Sequence, residues 1–336
     1  MPLFLHLPVI EQSQTGESRR LAVSWALGHG CPLQGTAQLA LTVAELARNL
    51  ALHTSHGGAL LLRLLGKDPF EFEVISLDAG PGRANFSACL NDGYSTAGTS
   101  GTGLGAVRRA SAVFDYYSQS ATGTALLSQL CAPSNTAQLK MGLGVVNVPK
   151  KGEIECGDSF GFQQKDGRAR LMIADGLGHG PLAAEASLLA VKIFEAGWSR
   201  DLPSLMEQMH NGMRATRGAA IAIAEIDPAS QRLRYAGVGN IAGVVLAPSK
   251  ASHLVSLNGT VGSTLPKIRE FTYPWEAGSL LIMNSDGVKT QWRLDRYAGL
   301  LERHPGLIAG ILFRDFSRGT DDTTVAALKL PYEHRI

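Results

Sequence analysis

Four stretches in the C-terminal half place an aspartate beside an apolar run or a glycine. They are ECGDSFGF with Asp158, LMIADGLGHG with Asp175, LLIMNSDGV with Asp286, and GTDDTTV with Asp321 and Asp322. A single Asp-Gly pair is most simply a turn. Four acidic stretches together imply more, because buried carboxylates repel one another unless cations or protons neutralise them. Oxygen donors favour Mg²⁺ or Mn²⁺ over zinc. Two such cations would lower the pKa of a bound water and clamp a phosphate. That help suits phosphate-monoester hydrolysis, which is extremely slow uncatalysed. His179 lies close to Asp175 and reads either as a loop or helix-cap residue or as an acid catalyst. No cysteine stands in a phosphate-loop pattern, which disfavours a cysteine phosphatase.

The N-terminal half carries a second set of polar residues. In AELARN, Glu45 and Asn49 are four apart, so on a helix they project from one face. A carboxylate and an amide so placed can accept a proton and hold Mg²⁺ beside a phosphate, or can simply be a solvated face. VISLDAGPG ends a buried strand in Asp78, whose carboxylate can accept a hydrogen bond from an adenine amino group. Gly80 and Gly82 let backbone pass close to a base. In SGTGLGAVRR, Gly101, Gly103 and Gly105 open a short helix whose N-terminal N–H groups can hold phosphate oxygens. Arg108 and Arg109 could add charge.

The elements that must hold these residues follow from periodicity. Strands are predicted over 3–10, 59–65 and 72–77, helices over 17–27, 36–53 and 104–113, and a hairpin over 114–119 and 124–129. Leu39, Val43, Leu46 and Leu50 make the buried stripe of the 36–53 helix. APSNTA at 132–137 lacks any period and reads as a linker. Beyond it, strands are expected over 140–148 and 168–174, then helices over 182–197 and 202–215. Strands follow at 219–226, 232–238, 241–246, 252–256, 267–273 and 279–284, with a helical stretch over 291–313 and a last strand over 323–330. Met206, Met209 and Met213 read as packing residues.

Length and composition bound the class. With 336 residues, the chain is long enough for two domains. Its 45% hydrophobic and 18% charged content suits a folded globule. A net charge of +2 gives no reservoir for nucleic acid or anionic membrane, so neither is expected as a partner. Cys31, Cys89, Cys131 and Cys156 form no CxxC pair and read as reduced thiols, which points to the cytoplasm. No apolar run approaches the length of a membrane span.

The motif order over roughly residues 1–130 resembles the GHKL ATPases, and within them the anti-sigma-factor serine kinases of the RsbT and SpoIIAB type. The order GD, DGxGHG, SDG and DD-T over roughly 138–330 resembles the PPM-type phosphatases, in particular the bacterial SpoIIE, RsbX and RsbU group. Gly239-Asn240 also fits that group. The resemblance implies an α+β chain: a GHKL (Bergerat) α/β sandwich over 1–131, a linker over 132–138, and a PPM-type α/β/β/α sandwich over 139–336. It implies that Glu45 activates the attacking hydroxyl, Asn49 binds Mg²⁺ and Asp78 reads adenine. Gly80, Gly82, Gly101, Gly103 and Gly105 would line ATP or ADP, with Thr124 supporting the adenine end. Arg83, after the GPG turn, and the small polar residues of 94–100 depart from the family pattern. In the second half it implies that Asp158 and Asp175 bridge two Mn²⁺ or Mg²⁺ ions. The Gly176 carbonyl, Asp286 and Asp321 complete the shell, with Asp322 beside them. The implied substrate is a STAS-domain phosphoprotein, an anti-sigma-factor antagonist or stressosome protein, with a downstream regulator as a further partner. Kinase and phosphatase activities on one chain are one expectation; a phosphatase regulated by a lobe that only binds nucleotide or partner is the other.

Overall fold

The computed structural model describes residues 3–54, 57–83, 86–87, 103–130 and 142–330. Gly101, the 94–100 stretch and the 132–138 linker lie outside them. The chain divides into two compact units, Met1–Ala137 with Arg293–Arg314, and Gln138–Trp292 with Asp315–Ile336.

The first unit is built on an antiparallel sheet of β1 (Phe4–Val9), β2 (Gly58–Lys67), β3 (Phe70–Asp78), β4 (Val113–Ser118) and β5 (Thr124–Leu130), in the order β1-β2-β3-β5-β4. α1 (Gln14–Gly28), α2 (Ala37–His53) and α3 (Gly103–Ala110) accompany it. The helical stripe Leu39, Val43, Leu46 and Leu50 is buried together with Trp25, Leu60, Leu62, Phe72, Val74, Leu126 and Leu130. Strand side chains alternate between faces, so Ile75, Leu77 and Leu127 point to the opposite side of the sheet.

The second unit contains two five-stranded sheets. Their strands are β6 (Gly142–Val148), β7 (Asp158–Lys165), β8 (Arg168–Gly176), β9 (Ala219–Asp227), β10 (Arg232–Val238), β11 (Ala242–Leu246), β12 (Ala251–His253), β13 (Phe271–Pro274), β14 (Leu280–Asn284) and β15 (Thr323–Lys329). One sheet runs β13-β10-β9-β8-β7 and the other β12-β11-β14-β15-β6. α4 (Pro181–Ala196) and α5 (Leu202–Gly212) lie on the first of these. There Met172, Ala174, Ile221 and Ile223 pack with Ala186, Ala190, Phe194, Met206, Met209 and Met213. The three methionines are thus core residues. Leu171 and Ile173 alternate to the other face and are equally buried, which leaves them facing the second sheet. Asp201 caps α5 by accepting the Ser204 N–H at 2.7 Å.

Two local expectations change. β7 was not anticipated. The helical stretch expected over 291–313 is helical only in α6 (Pro305–Phe316), with a 3₁₀ turn at Leu300–Glu302 before it. Pro305 favours the first helical position, and Gly299 at φ +76° interrupts any earlier start. Residues 293–314 cluster with the first unit. A Cβ on Gly310 would come within 3.1 Å of Leu77 and 3.3 Å of Ile75, and one on Gly306 within 2.5 Å of Leu127. α6 therefore lies flat on the sheet face that α1 and α2 leave bare.

Candidate functional site

The carboxylates of the second unit are gathered by strand register. β7 and β8 pair Asp158 directly with Asp175. Directly paired residues bring their Cβ atoms to about 5 Å, so the two carboxyl groups lie side by side on one face of the sheet. Asp286 follows β14 and Asp321 precedes β15, two strands that are neighbours in the second sheet. Asp158 is buried and Asp175 half-buried, while Asp286 is exposed and Asp321 half-buried.

Second-sheet residues hold Asp158 in place. Ser285 donates its hydroxyl to Asp158 Oδ2 at 2.6 Å. Asn147 donates to the Asp158 carbonyl at 3.1 Å and to Thr324 Oγ1 at 2.8 Å. Asn240 donates to Asp286 Oδ2 at 2.7 Å. The Lys150 N–H donates to Asp322 Oδ1 at 2.8 Å. A Cβ on Gly176 would lie 2.1 Å from the Ala183 carbonyl oxygen, so only glycine lets the loop after Asp175 turn under α4.

The electrostatics are those of a charge cluster. Burial pushes Asp158 up from the usual carboxylate range, and Asp322 and Asp286 push it further. Burial likewise raises Asp175, with repulsion from Asp158, Asp286 and Asp321 added. Asp286 is raised by burial and by Asp321, against the pull of Arg318. Among the described residues, no three His, Cys, Asp or Glu side chains form a ready-made metal cage. Repulsion among these carboxylates is relieved by protons or by a bound cation, and metal binding displaces such protons. The donor set fits a hard cation. It is all oxygen, it carries excess negative charge, and among the described residues the buried Asp322 Oδ2 has no hydrogen-bond partner. His179 is exposed and meets Glu153 Oε1 at 2.7 Å through Nδ1.

The first unit gathers its own set. Asp78 ends β3, pairing with Gly58 on one side and Thr124 on the other. Its Oδ1 accepts the N–H of Gly80 at 2.8 Å and of Thr124 at 3.3 Å. Burial raises its pKa, opposed by these N–H groups and by Arg314. Gly82 adopts φ +61°, and a Cβ there would strike the Gln119 carbonyl at 2.0 Å. A Cβ on Gly103 would lie 2.5 Å from Glu45 Oε2, so Glu45 stands at the start of α3. Gly105 is buried within α3. Glu45 also pairs with Arg48 Nη1 at 3.9 Å. Among the described residues the buried Asn49 amide nitrogen has no partner, and a phosphate oxygen would satisfy it.

Sequence reasoning missed Ser285, Asn147 and Arg314. Arg314 Nη1 donates to the Asp78 carbonyl at 2.6 Å. Ser285 adjoins Asp286 and could have been read from the SDG motif. Nothing local marks Asn147 or Arg314, since their partners are remote in sequence.

Comparison with known proteins bears on this geometry. The family model for stage II sporulation protein E (SpoIIE) matches residues 165–331. The chain is 32% identical over 145 residues to phosphoserine phosphatase RsbX of Bacillus subtilis (strain 168), covering 43% of this chain and 73% of that protein. It is 31% identical over 102 residues to serine/threonine-protein kinase RsbT of the same organism, covering 30% of this chain and 75% of the other. The structure of RsbX in complex with magnesium is similar at TM-score 0.52 and 27% identity, covering 59% of this chain and 98% of that one. A chain from a study of the bacterial stressosome is similar at TM-score 0.54 and 26% identity, covering 56% and 100%. With RsbX matched over most of its length, the chain belongs to the SpoIIE family of PPM-type serine/threonine phosphatases.

Proposed function

We propose that the second unit removes phosphate from phosphoserine or phosphothreonine on a STAS-domain protein of the anti-sigma-factor antagonist or stressosome type, in the cytoplasm. The observation that carries this is the Asp158–Asp175 pair, with Asp286 and Asp321 in electrostatic reach of it. Asp158, Asp175, Asp286, Asp321 and the Gly176 carbonyl would hold two Mg²⁺ or Mn²⁺ ions. Bound there, the ions would supply an activated water and charge for the phosphate oxygens. The protein's own part is positional. Ser285 and Asn147 fix Asp158, and Asn240 fixes Asp286. Offering a phosphorylated STAS protein with and without Mn²⁺, and following phosphate release, tests the reading; release that ignores the metal would refute it.

The N-terminal domain, which we place over residues 1–131 with a linker at 132–138, would bind ATP or ADP with Mg²⁺. Asp78 and Thr124 would take the adenine end with Gly80 and Gly82 beside the base, Gly101, Gly103 and Gly105 the phosphates, Asn49 the Mg²⁺, and Glu45 the attacking hydroxyl. The similarity to RsbT supports a serine kinase acting on the same partner. In a second reading this unit binds nucleotide and regulates the phosphatase without transfer; Arg48 Nη1, 3.9 Å from Glu45, would then compete with a substrate hydroxyl for the carboxylate. Labelled ATP with a STAS partner separates them: label on the partner means transfer, and bound nucleotide without label means regulation.

A further inference from the structure

The carboxylate centre poses a problem for its own substrate. A phosphate monoester is a dianion, and the side chains gathered around Asp158 and Asp175 are acidic. Metal charge offsets part of that repulsion, yet a fixed cation at the rim would orient the phosphate where the centre can act.

We propose that Arg217 is that cation, the anchor for the substrate phosphate; the inference rests on the phosphatase reading of the second unit. β8 and β9 pair Asp175 with Ala220 and Gly176 with Ala219. The pairing continues one step, with the Leu177 N–H donating to the Gly218 carbonyl at 3.0 Å. The next residue back along the chain is Arg217, opposite Gly178. A Cβ on Gly178 would lie 3.0 Å from Arg217 Nη1. The guanidinium therefore rests on the bare backbone of the loop leaving Asp175. Three ladder steps separate it from the residue facing Asp175, about 10 Å at roughly 3.3 Å per residue. The arginine stem and a phosphate together can bridge that gap.

Two further observations single Arg217 out. Its side chain is exposed, and no hydrogen bond, ion pair or ring contact engages it among the described residues. Arg318, the cation that acts on Asp286, is instead held by the Val288 carbonyl at 3.4 Å and Thr290 Oγ1 at 3.2 Å. An exposed arginine on the loop that leaves Asp175, engaged by none of the described residues, keeps its planar fork free for a phosphate. Glycine at 178 suits the arrangement, since a side chain there would crowd the guanidinium, which would have to give by a few tenths of an ångström. Its φ of +90° independently favours glycine.

The test uses the full chain with saturating Mn²⁺. Arg217→Ala and Arg217→Lys are compared with the parent chain on p-nitrophenyl phosphate and on a phosphoserine protein, with inorganic phosphate as competitive inhibitor. Arg217→Ala should raise KM for both substrates and Ki for phosphate about tenfold, leaving the Mn²⁺ activation constant and melting temperature unchanged. Arg217→Lys should fall between, keeping the charge but losing the fork. Protection of the parent chain against heat by inorganic phosphate, lost in Arg217→Ala, gives a readout independent of turnover. If Arg217→Ala keeps the parent KM and Ki, the assignment is wrong. If only the phosphoprotein KM rises, Arg217 contacts the partner's surface and the phosphate anchor is refuted. A parent chain that releases no phosphate from either substrate overturns the phosphatase reading itself.

Discussion

The two candidate sites solve the same problem, holding phosphate next to divalent metal, in opposite ways. In the second unit the acidic groups come from strand ends of two facing sheets, and hydrogen bonds from Ser285 and Asn240 to Asp158 and Asp286 offset part of their mutual repulsion. In the first unit one carboxylate, Asp78, is surrounded by donors: the N–H groups of Gly80 and Thr124, with Arg314 on its carbonyl. One site is an excess of negative charge suited to cations. The other is a cradle of donors and orphaned amide suited to a base and its phosphates. The difference teaches that acidic residues alone do not define a metal site; what opposes them does.

The sharpest way to break this comparison is Asp175→Asn. Removing one charge from the paired core should lower phosphate release from a phosphoserine protein by about 1,000-fold or more. Nucleotide binding by the first unit should be unchanged, and titration calorimetry with ADP checks that half. Normal turnover in the variant would mean that the four aspartates are not the reactive centre. The reciprocal change is Asn49→Ala. It should weaken Mg²⁺-dependent ADP binding by roughly 10- to 100-fold while leaving p-nitrophenyl phosphate hydrolysis alone. A smaller effect is expected from Ser285→Ala, which loses a single hydrogen bond to Asp158. A fall in kcat of about tenfold, near 1.4 kcal/mol, with unchanged KM would mark Ser285 as a positioning residue; an unchanged kcat would not.

Much of this was legible in the sequence, for reasons that differ by element. α2 and α4 follow from helical periods with apolar faces, and the buried strands β8, β9 and β14 from continuous apolar runs. β7 was not legible. It is the edge strand of its sheet, its sequence DSFGFQQK carries a glycine and two glutamines, and Gly161 is required by the Phe194 ring, where a Cβ would lie 2.6 Å away. Edge strands face solvent along one side and lose the apolar signal. The carboxylates were legible because each adjoins a glycine or a strand end. Arg217 and Arg314 were not, because their partners, Gly178 and Asp78, are 39 and 236 residues away. Nor does any local pattern show that the GxxxG spacing of Gly306 and Gly310 seats α6 on a sheet built from residues 200 or so positions earlier.

Arg314→Ala carries the smallest expected effect and the most specific one. Arg314 makes one charged hydrogen bond to the backbone of Asp78, and its charge also works against the burial that raises the Asp78 carboxyl. An adenine amino group needs an acceptor, and ionised Asp78 is a stronger one than its protonated form. Because its pKa is raised, ADP affinity should weaken as pH falls through the upper part of the carboxylate range, sooner than for an ordinary aspartate. Without Arg314 the carboxyl rises further, and the same loss should begin at a higher pH. At neutral pH the change in Kd should be only about threefold, roughly 0.7 kcal/mol. Calorimetric titrations of ADP at a series of pH values would check both parts. A pH profile identical to that of the parent chain would mean that Asp78 does not meet the base as a carboxylate, and the donor-rich character of the first site would need another explanation.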